Sequence, residues 1–341
     1  MRYLEDKIEE AVLHPEIEIR DRATSYFAKS FSTDPGIMPL VIEAVQTYGK
    51  ADAYHQIGLA KGLRQSEDTI AWVVRELNDP QTDQFDNYAY NLSMVLLVAD
   101  PALLLPRESA ILEARHFLPD LREPFTERLR MRSWDEAMCW QKLEEFCEKG
   151  EDEQDTNEID LGHANRIVEA LARYGPQCEA KVHALLYQKV DDYHHNRMTW
   201  QEPLVVRLAG QARLESAIPL LVAKLLADGG DLLNEECAEA LTRIGTPAVL
   251  EAVAETFSRA AQHFRLYATD PLEHIHSDLA VEKCVRLVAQ ERDHRIRTGL
   301  VHALLCHFAY EGIDAARQLL VGRELDFEGR GLRNYTRRGP A

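Results

Sequence analysis

The sequence predicts an all-α protein of stacked antiparallel helix pairs. Three observations carry this: apolar residues recur at helical spacing along most of the chain, glycine and proline separate those segments, and one helix–turn–helix unit repeats. The unit is clearest between Ser216 and Phe257. Ile218, Leu221, Val222 and Leu225 fall on one helical face, and Asp228-Gly229-Gly230-Asp231 breaks that helix. Asn234 is expected to cap the next helix, with Glu235 and Glu236 in a first turn that favours negative charge. Cys237, Leu241 and Ile244 continue the apolar face, and Gly245 suits a left-handed C-terminal position. Thr246 and Pro247 then restart helix as N-cap and first helical residue, followed by Val249, Ala252 and Val253.

Each helix face is too narrow to form a core alone, so the pairs must stack. Glu169-Ala170-Leu171-Ala172-Arg173-Tyr174-Gly175 closely repeats Glu239-Ala240-Leu241-Thr242-Arg243-Ile244-Gly245. Second helices are expected to begin near Ala217, Ala248, Ala280 and Asp314, at steps of 31, 32 and 34 residues. Such a period of paired helices reads as an α-solenoid, in which each repeat contacts only its neighbours.

Asp293-His294-Arg295-Ile296-Arg297, ahead of Val301-His302-Ala303-Leu304-Leu305, resembles the Asp-x-x-Val-Arg opening of HEAT-like repeat proteins, in particular the short bacterial type named after phycobilisome lyases. Glu18-Ile19-Arg20 before Ala23 resembles it more distantly, and the likeness is clearest from Asn165 to Val321. The resemblance implies a right-handed superhelix of HEAT-like pairs that binds a protein or peptide. The second helices, including 217–226 and 248–257, would line its concave face.

From the N-terminus, helices are expected at 4–13, 19–31, 37–45, 54–63, 70–77, 88–98 and 109–117, closed by signals such as His14-Pro15, Asp34-Pro35-Gly36 and Asn78-Asp79-Pro80. Pro101, Pro106, Pro119 and Pro124 predict short or irregularly angled helices in their neighbourhood. One helix is expected over 125–147. Acidic residues then crowd 144–160 against the single Lys149, so this segment reads as a solvated loop that gains too little burial to offset its ordering entropy. The expected organisation is divergent repeats at 1–145, the acidic loop at 146–160, C-terminal repeats at 161–322 and an Arg-rich tail at 323–341. The tail is expected to be a solubilising end or a loose, salt-sensitive tether. Residues 190–200 interrupt the pattern as an inserted loop, lengthening one repeat to about 39 residues between Cys178 and Ala217. Ala268-Thr269-Asp270-Pro271 is a further polar break.

A net charge of −18 argues against a general nucleic-acid binder, which needs cationic surface to displace counterions, and against attraction to anionic membranes. No apolar run approaches the roughly 18 residues of a spanning helix. The charged start Met1–Asp6 lacks a signal-peptide core, so a cytoplasmic location is expected. The six cysteines form no Cys-x-x-Cys pair and read as small core residues.

The sequence offers no Gly-x-Ser-x-Gly elbow and no phosphate-binding Gly-x-x-x-x-Gly-Lys-Ser/Thr loop. Thirteen histidines suggest metal chemistry, and the HEAT-repeat deoxyhypusine hydroxylases bind iron through His-Glu pairs, but no histidine here precedes a glutamate. His274 and His276 with Asp278 form the best remaining cluster, followed by His194-His195 with Asp191. Residues two apart do not share a helix face, so loop histidines and no metal are expected. The HEAT-like DNA glycosylases supply the alternative function. Trp72, Trp134, Trp140, Trp200 and Asp135 provide suitable residue types, while the acidic balance opposes it. A bilin-lyase role rests on fold analogy alone. Tyr26, Phe27, Trp72, Phe257 and Phe264 read as core, whereas Trp134, Trp140, Tyr193, His194 and Trp200 flank or occupy the two loops and are the candidate interface residues. The sequence-based reading is therefore a non-enzymatic binding scaffold with no cofactor.

Overall fold

The computed structural model describes residues 3–84, 86–153, 155–190 and 196–322, and among these every regular element is helical. Tyr193 and His194, and the Arg-rich tail at 323–341, lie outside the described residues. No single described helix is long and apolar enough to cross a membrane. Contacts divide the chain into two compact units that meet in sequence at Tyr174 and Gly175.

The first unit contains α1 (Glu5–Ala11), α2 (Ile17–Lys29), α3 (Ile37–Tyr48), α4 (Lys50–Ala60), α5 (Glu67–Asn78), α6 (Asp86–Val98), α7 (Pro101–Leu104), α8 (Glu108–Leu112), α9 (Arg122–Met131), α10 (Glu136–Lys149) and α11 (Leu161–Ala172). Alternate helices pack side by side: α2 on α4, α4 on α6, α6 on α9 and α9 on α11, with α3 on α5 and α5 on α7 forming a second row. Ile37, Val41, Ile57, Ile70, Val73, Leu92 and Leu96 are fully buried between the rows. The prolines shorten helices as expected, leaving α7 and α8, joined by a 3-10 turn at Leu105–Arg107, between Pro101 and Pro119. The single helix expected over 125–147 is two. The chain turns at Arg132–Trp134, and Asp135 caps α10 by accepting from the Met138 amide at 2.7 Å. The acidic segment after Gly150 carries no helix until α11, and its described carboxylates are mostly exposed.

The second unit contains α12 (Glu179–Leu186), α13 (Met198–Gln211), α14 (Ile218–Ala227), α15 (Asp231–Ile244), α16 (Pro247–Phe257), α17 (Gln262–Tyr267), α18 (Thr269–His274), α19 (Asp278–Gln290), α20 (His294–Cys306) and α21 (Tyr310–Gly322). One row runs α13, α15, α18, α20, and the other runs α12, α14, α16, α19. The α13–α15 contact is close, because Gly210 faces Ala240: a Cβ at Gly210 would lie 2.5 Å from the Ala240 Cα. Only glycine allows that approach.

Gly245 takes the left-handed conformation at φ 68°, and Thr246-Pro247 opens α16 as expected. Asn234 does not cap α15. Gly230, at φ 94°, starts the helix at Asp231, so Asn234 sits buried within it and its side-chain amide donates to Asp228 at 2.8 Å. The expected loop over 190–200 also ends early. α13 begins at Met198 and takes in Trp200, because the apolar run of Leu204, Val205 and Val206 extends helical burial back toward it.

Candidate functional site

A pocket of about 500 Å³ lies on the α4–α6–α9–α11 row of the first unit. Its walls come from the turn Gly62–Gln65 after α4, the end of α6, the start of α7, and the C-terminal parts of α9 and α11. Local sequence fixes each wall. Asp100 caps α7 by accepting from the Ala102 amide at 2.8 Å, with Pro101 in the first helical position. Asp160 caps α11 by accepting from the His163 amide at 2.8 Å. From that start, Arg166, Glu169, Ala170 and Arg173 fall at i, i+3, i+4 and i+7 and share one face. Arg128 and Arg132 are four residues apart at the end of α9 and share another.

The lining contains five arginines, Arg64, Arg128, Arg132, Arg166 and Arg173, against two carboxylates, Asp100 and Glu169. Arg128 is only 5% exposed. Its Nε donates to Glu169 at 2.6 Å and its Nη2 donates to the other Glu169 oxygen and, at 3.2 Å, to the Val98 carbonyl. Its remaining nitrogen, Nη1, is buried without a hydrogen-bond partner. A buried guanidinium nitrogen left bare carries a desolvation cost. Arg166 pairs with Glu127 at 2.5 Å, and Glu127 also meets His163 Nδ1 at 2.8 Å. Arg173 donates to the neutral Trp134 carbonyl and lies 5.0 Å over the Tyr174 ring. Arg64 and Arg132 are exposed and make no ion pair among the described residues. Two arginines are thus compensated by carboxylates and three are not, so the pocket is locally cationic on an acidic protein. Its lining contains no serine, cysteine, histidine or lysine. The arrangement can clamp an anion through forked N–H donors and supplies no nucleophile or general base of those types.

The residues singled out from sequence fall elsewhere. Trp200 is 2% exposed in α13 and Trp140 is 4% exposed in α10, so both are core side chains. Trp140 Nε1 donates to Glu136 at 3.2 Å. Trp134 is half-buried and reaches the pocket wall only through its carbonyl, which also accepts from the Tyr174 hydroxyl at 2.7 Å. The arginines went unnoticed because whole-chain charge hides local sign. The readable signal was the spacing of Arg128 with Arg132 and of Arg166 with Arg173.

In the second unit, His274 and His276 do not converge. His276 Nδ1 lies 3.0 Å from His307 Nδ1, whereas His274 Nε2 faces Glu273 at 3.3 Å. Glu273, His302 and Cys306 do converge, with donor atoms all within 4.8 Å of one another. Glu273 is buried at the end of α18, and burial alone would push its carboxyl up. Hydrogen bonding to His274 and His302 outweighs that and holds it well below the ordinary carboxylate range.

Among known proteins, the chain matches no family and no curated sequence.

Proposed function

We propose that the chain is a non-enzymatic binding protein, a HEAT-like α-solenoid whose first unit receives an anionic group of a protein or peptide partner in the arginine pocket. The row-by-row packing of alternate helices in each unit supports the solenoid reading, since stacked pairs bury the faces that single helices cannot. The observation that carries the functional reading is the charge of the pocket. Arg64, Arg132 and Arg173 lack carboxylate partners, and buried Arg128 is held in the lining by its paired bonds to Glu169. The volume suits a single phosphorylated or carboxylate-bearing group and is far smaller than a nucleic-acid duplex requires.

A peptide array pairing phosphorylated with unphosphorylated sequences tests the proposal. The wild-type chain is expected to retain phosphorylated members selectively, and Arg64→Glu/Arg132→Glu to lose them by about tenfold to a hundredfold, since hydrogen bonds to charged groups are worth about 1.5–3 kcal/mol each. Equal retention of both peptide forms, or by both proteins, contradicts it. The same locally cationic pocket is the one feature favouring a nucleic-acid enzyme. Duplex DNA filter binding at low salt separates the two: retention lost in the double variant would favour that enzyme class.

A further inference from the structure

We propose that Glu273, His302 and Cys306 form a binding site for a zinc-type divalent cation, clipping the end of α18 to α20. Cys306 and His302 lie four residues apart on one face of α20, and Glu273 and His274 end α18, which packs on that face. Cys306 Sγ lies 3.5 Å from Glu273 Oε1 and 3.4 Å from His302 Nδ1, and His302 Nδ1 lies 3.1 Å from Glu273 Oε2. A tetrahedral zinc with bonds of about 2.0–2.1 Å to nitrogen and oxygen and about 2.3 Å to sulfur places its ligands roughly 3.3–3.6 Å apart. The three pairs described come within a few tenths of an ångström of those edges, leaving a fourth position open toward solvent.

His274 supports the arrangement from behind. Its Nδ1 lies 3.1 Å from the Asp270 carbonyl and its Nε2 lies 3.3 Å from Glu273, so the ring braces the buried carboxylate that faces His302 and Cys306. Imidazole, thiolate and carboxylate together suit zinc better than magnesium or calcium, which prefer oxygen alone.

A Cys–His–Glu nucleophilic relay does not fit the geometry. A relay needs the two ring nitrogens to face different partners, but Nδ1 of His302 is the nitrogen nearest both Cys306 and Glu273. On zinc binding, the Cys306 sulfur exchanges its proton for the metal and that proton leaves to solvent. Cys306 and His302 are each partly exposed, so a path from solvent exists.

The test uses the full chain, stripped with a chelator and titrated with zinc against a chromophoric competitor, then with cobalt as a spectroscopic substitute. The expected results are one equivalent of metal, a thiolate-to-cobalt charge-transfer band, a higher melting temperature with zinc, and protection of Cys306 from alkylation. Cys306→Ser, a one-atom change at a half-buried position, should abolish the band and weaken zinc binding at least about tenfold. His302→Gln should weaken it similarly, and His183→Gln, outside the cluster, should not. Absence of metal uptake, absence of a thiolate band, or wild-type affinity in both Cys306→Ser and His302→Gln would overturn the site.

Discussion

At the scale of single residues, the closest backbone approach identified is Gly210 against Ala240, and it sets a sharp expectation. Gly210→Ala places a methyl 2.8 Å from the Ala240 Cβ, so α15 must shift; the loss should be about 1–3 kcal/mol, read as a lower denaturation midpoint. Gly62→Ala, whose methyl would meet nothing within 4 Å, should change stability by less than about 0.5 kcal/mol. Cysteines make a second expectation. Burial pushes the Cys147 and Cys284 thiols up to about 12, while Cys306 is partly exposed. Alkylation of the native chain at pH 8 should therefore modify Cys306 and spare Cys147 and Cys284, with mass spectrometry of the digest as the readout. The linkage has a definite sign. The folded state keeps these protons between the unfolded value of 9.0 and about 12, so stability should fall as pH rises through that window. An unfolding midpoint that stays flat from pH 8 to pH 11 would contradict it.

At the scale of elements, the turn between α19 and α20 shows how much a few side chains organise. Asp293 caps α20 by accepting from the Arg295 and Ile296 amides at 3.0 and 3.2 Å. Buried Glu291 accepts from Arg265 at 2.6 Å and from the Arg292 and Asp293 amides at 2.8 Å. Asp293→Ala should cost about 1 kcal/mol, the usual value of a lost cap. Glu291→Ala should cost more, because it strands a partly buried guanidinium and two backbone donors. The reverse order in thermal melts would contradict this account of the turn. The cap at Asp293 and the stop at Gly245 were legible because their causes are local: a side chain of the right type, one turn from an amide or at a left-handed position. Asn234 misled because the helix restarts at Asp231, directly after Gly230 at φ 94°, which leaves no room for a cap three residues further on. Trp200 misled because the polar residues ahead of it masked a helix whose burial comes from α15 and other neighbours distant in sequence. The Arg132–Trp134 turn is a short polar stretch inside an otherwise periodic run, too brief to alter the pattern.

At the scale of the whole chain, the sequence revealed helical architecture and concealed the sites. Arg64, Arg128 and Arg173 are separated by more than 40 residues at each step, and Glu273 reaches Cys306 across 33. Only the packing of alternate helices brings such residues together, and no periodicity within one helix announces it. The −18 net charge further concealed the pocket, because most carboxylates lie on other surfaces. The helical content itself is open to a direct check: circular dichroism should show helix and no appreciable strand, and substantial strand would contradict the architecture. The central claim, that the first unit holds an anion in its arginine pocket, is tested most directly by calorimetric titration of a phosphoserine peptide into the full chain at low salt. The account expects saturable 1:1 binding that weakens as salt is raised and falls at least about tenfold in Arg64→Glu/Arg132→Glu, a double variant that should melt like the wild type. Binding of equal strength in the double variant, or no heat with the wild type, would contradict it.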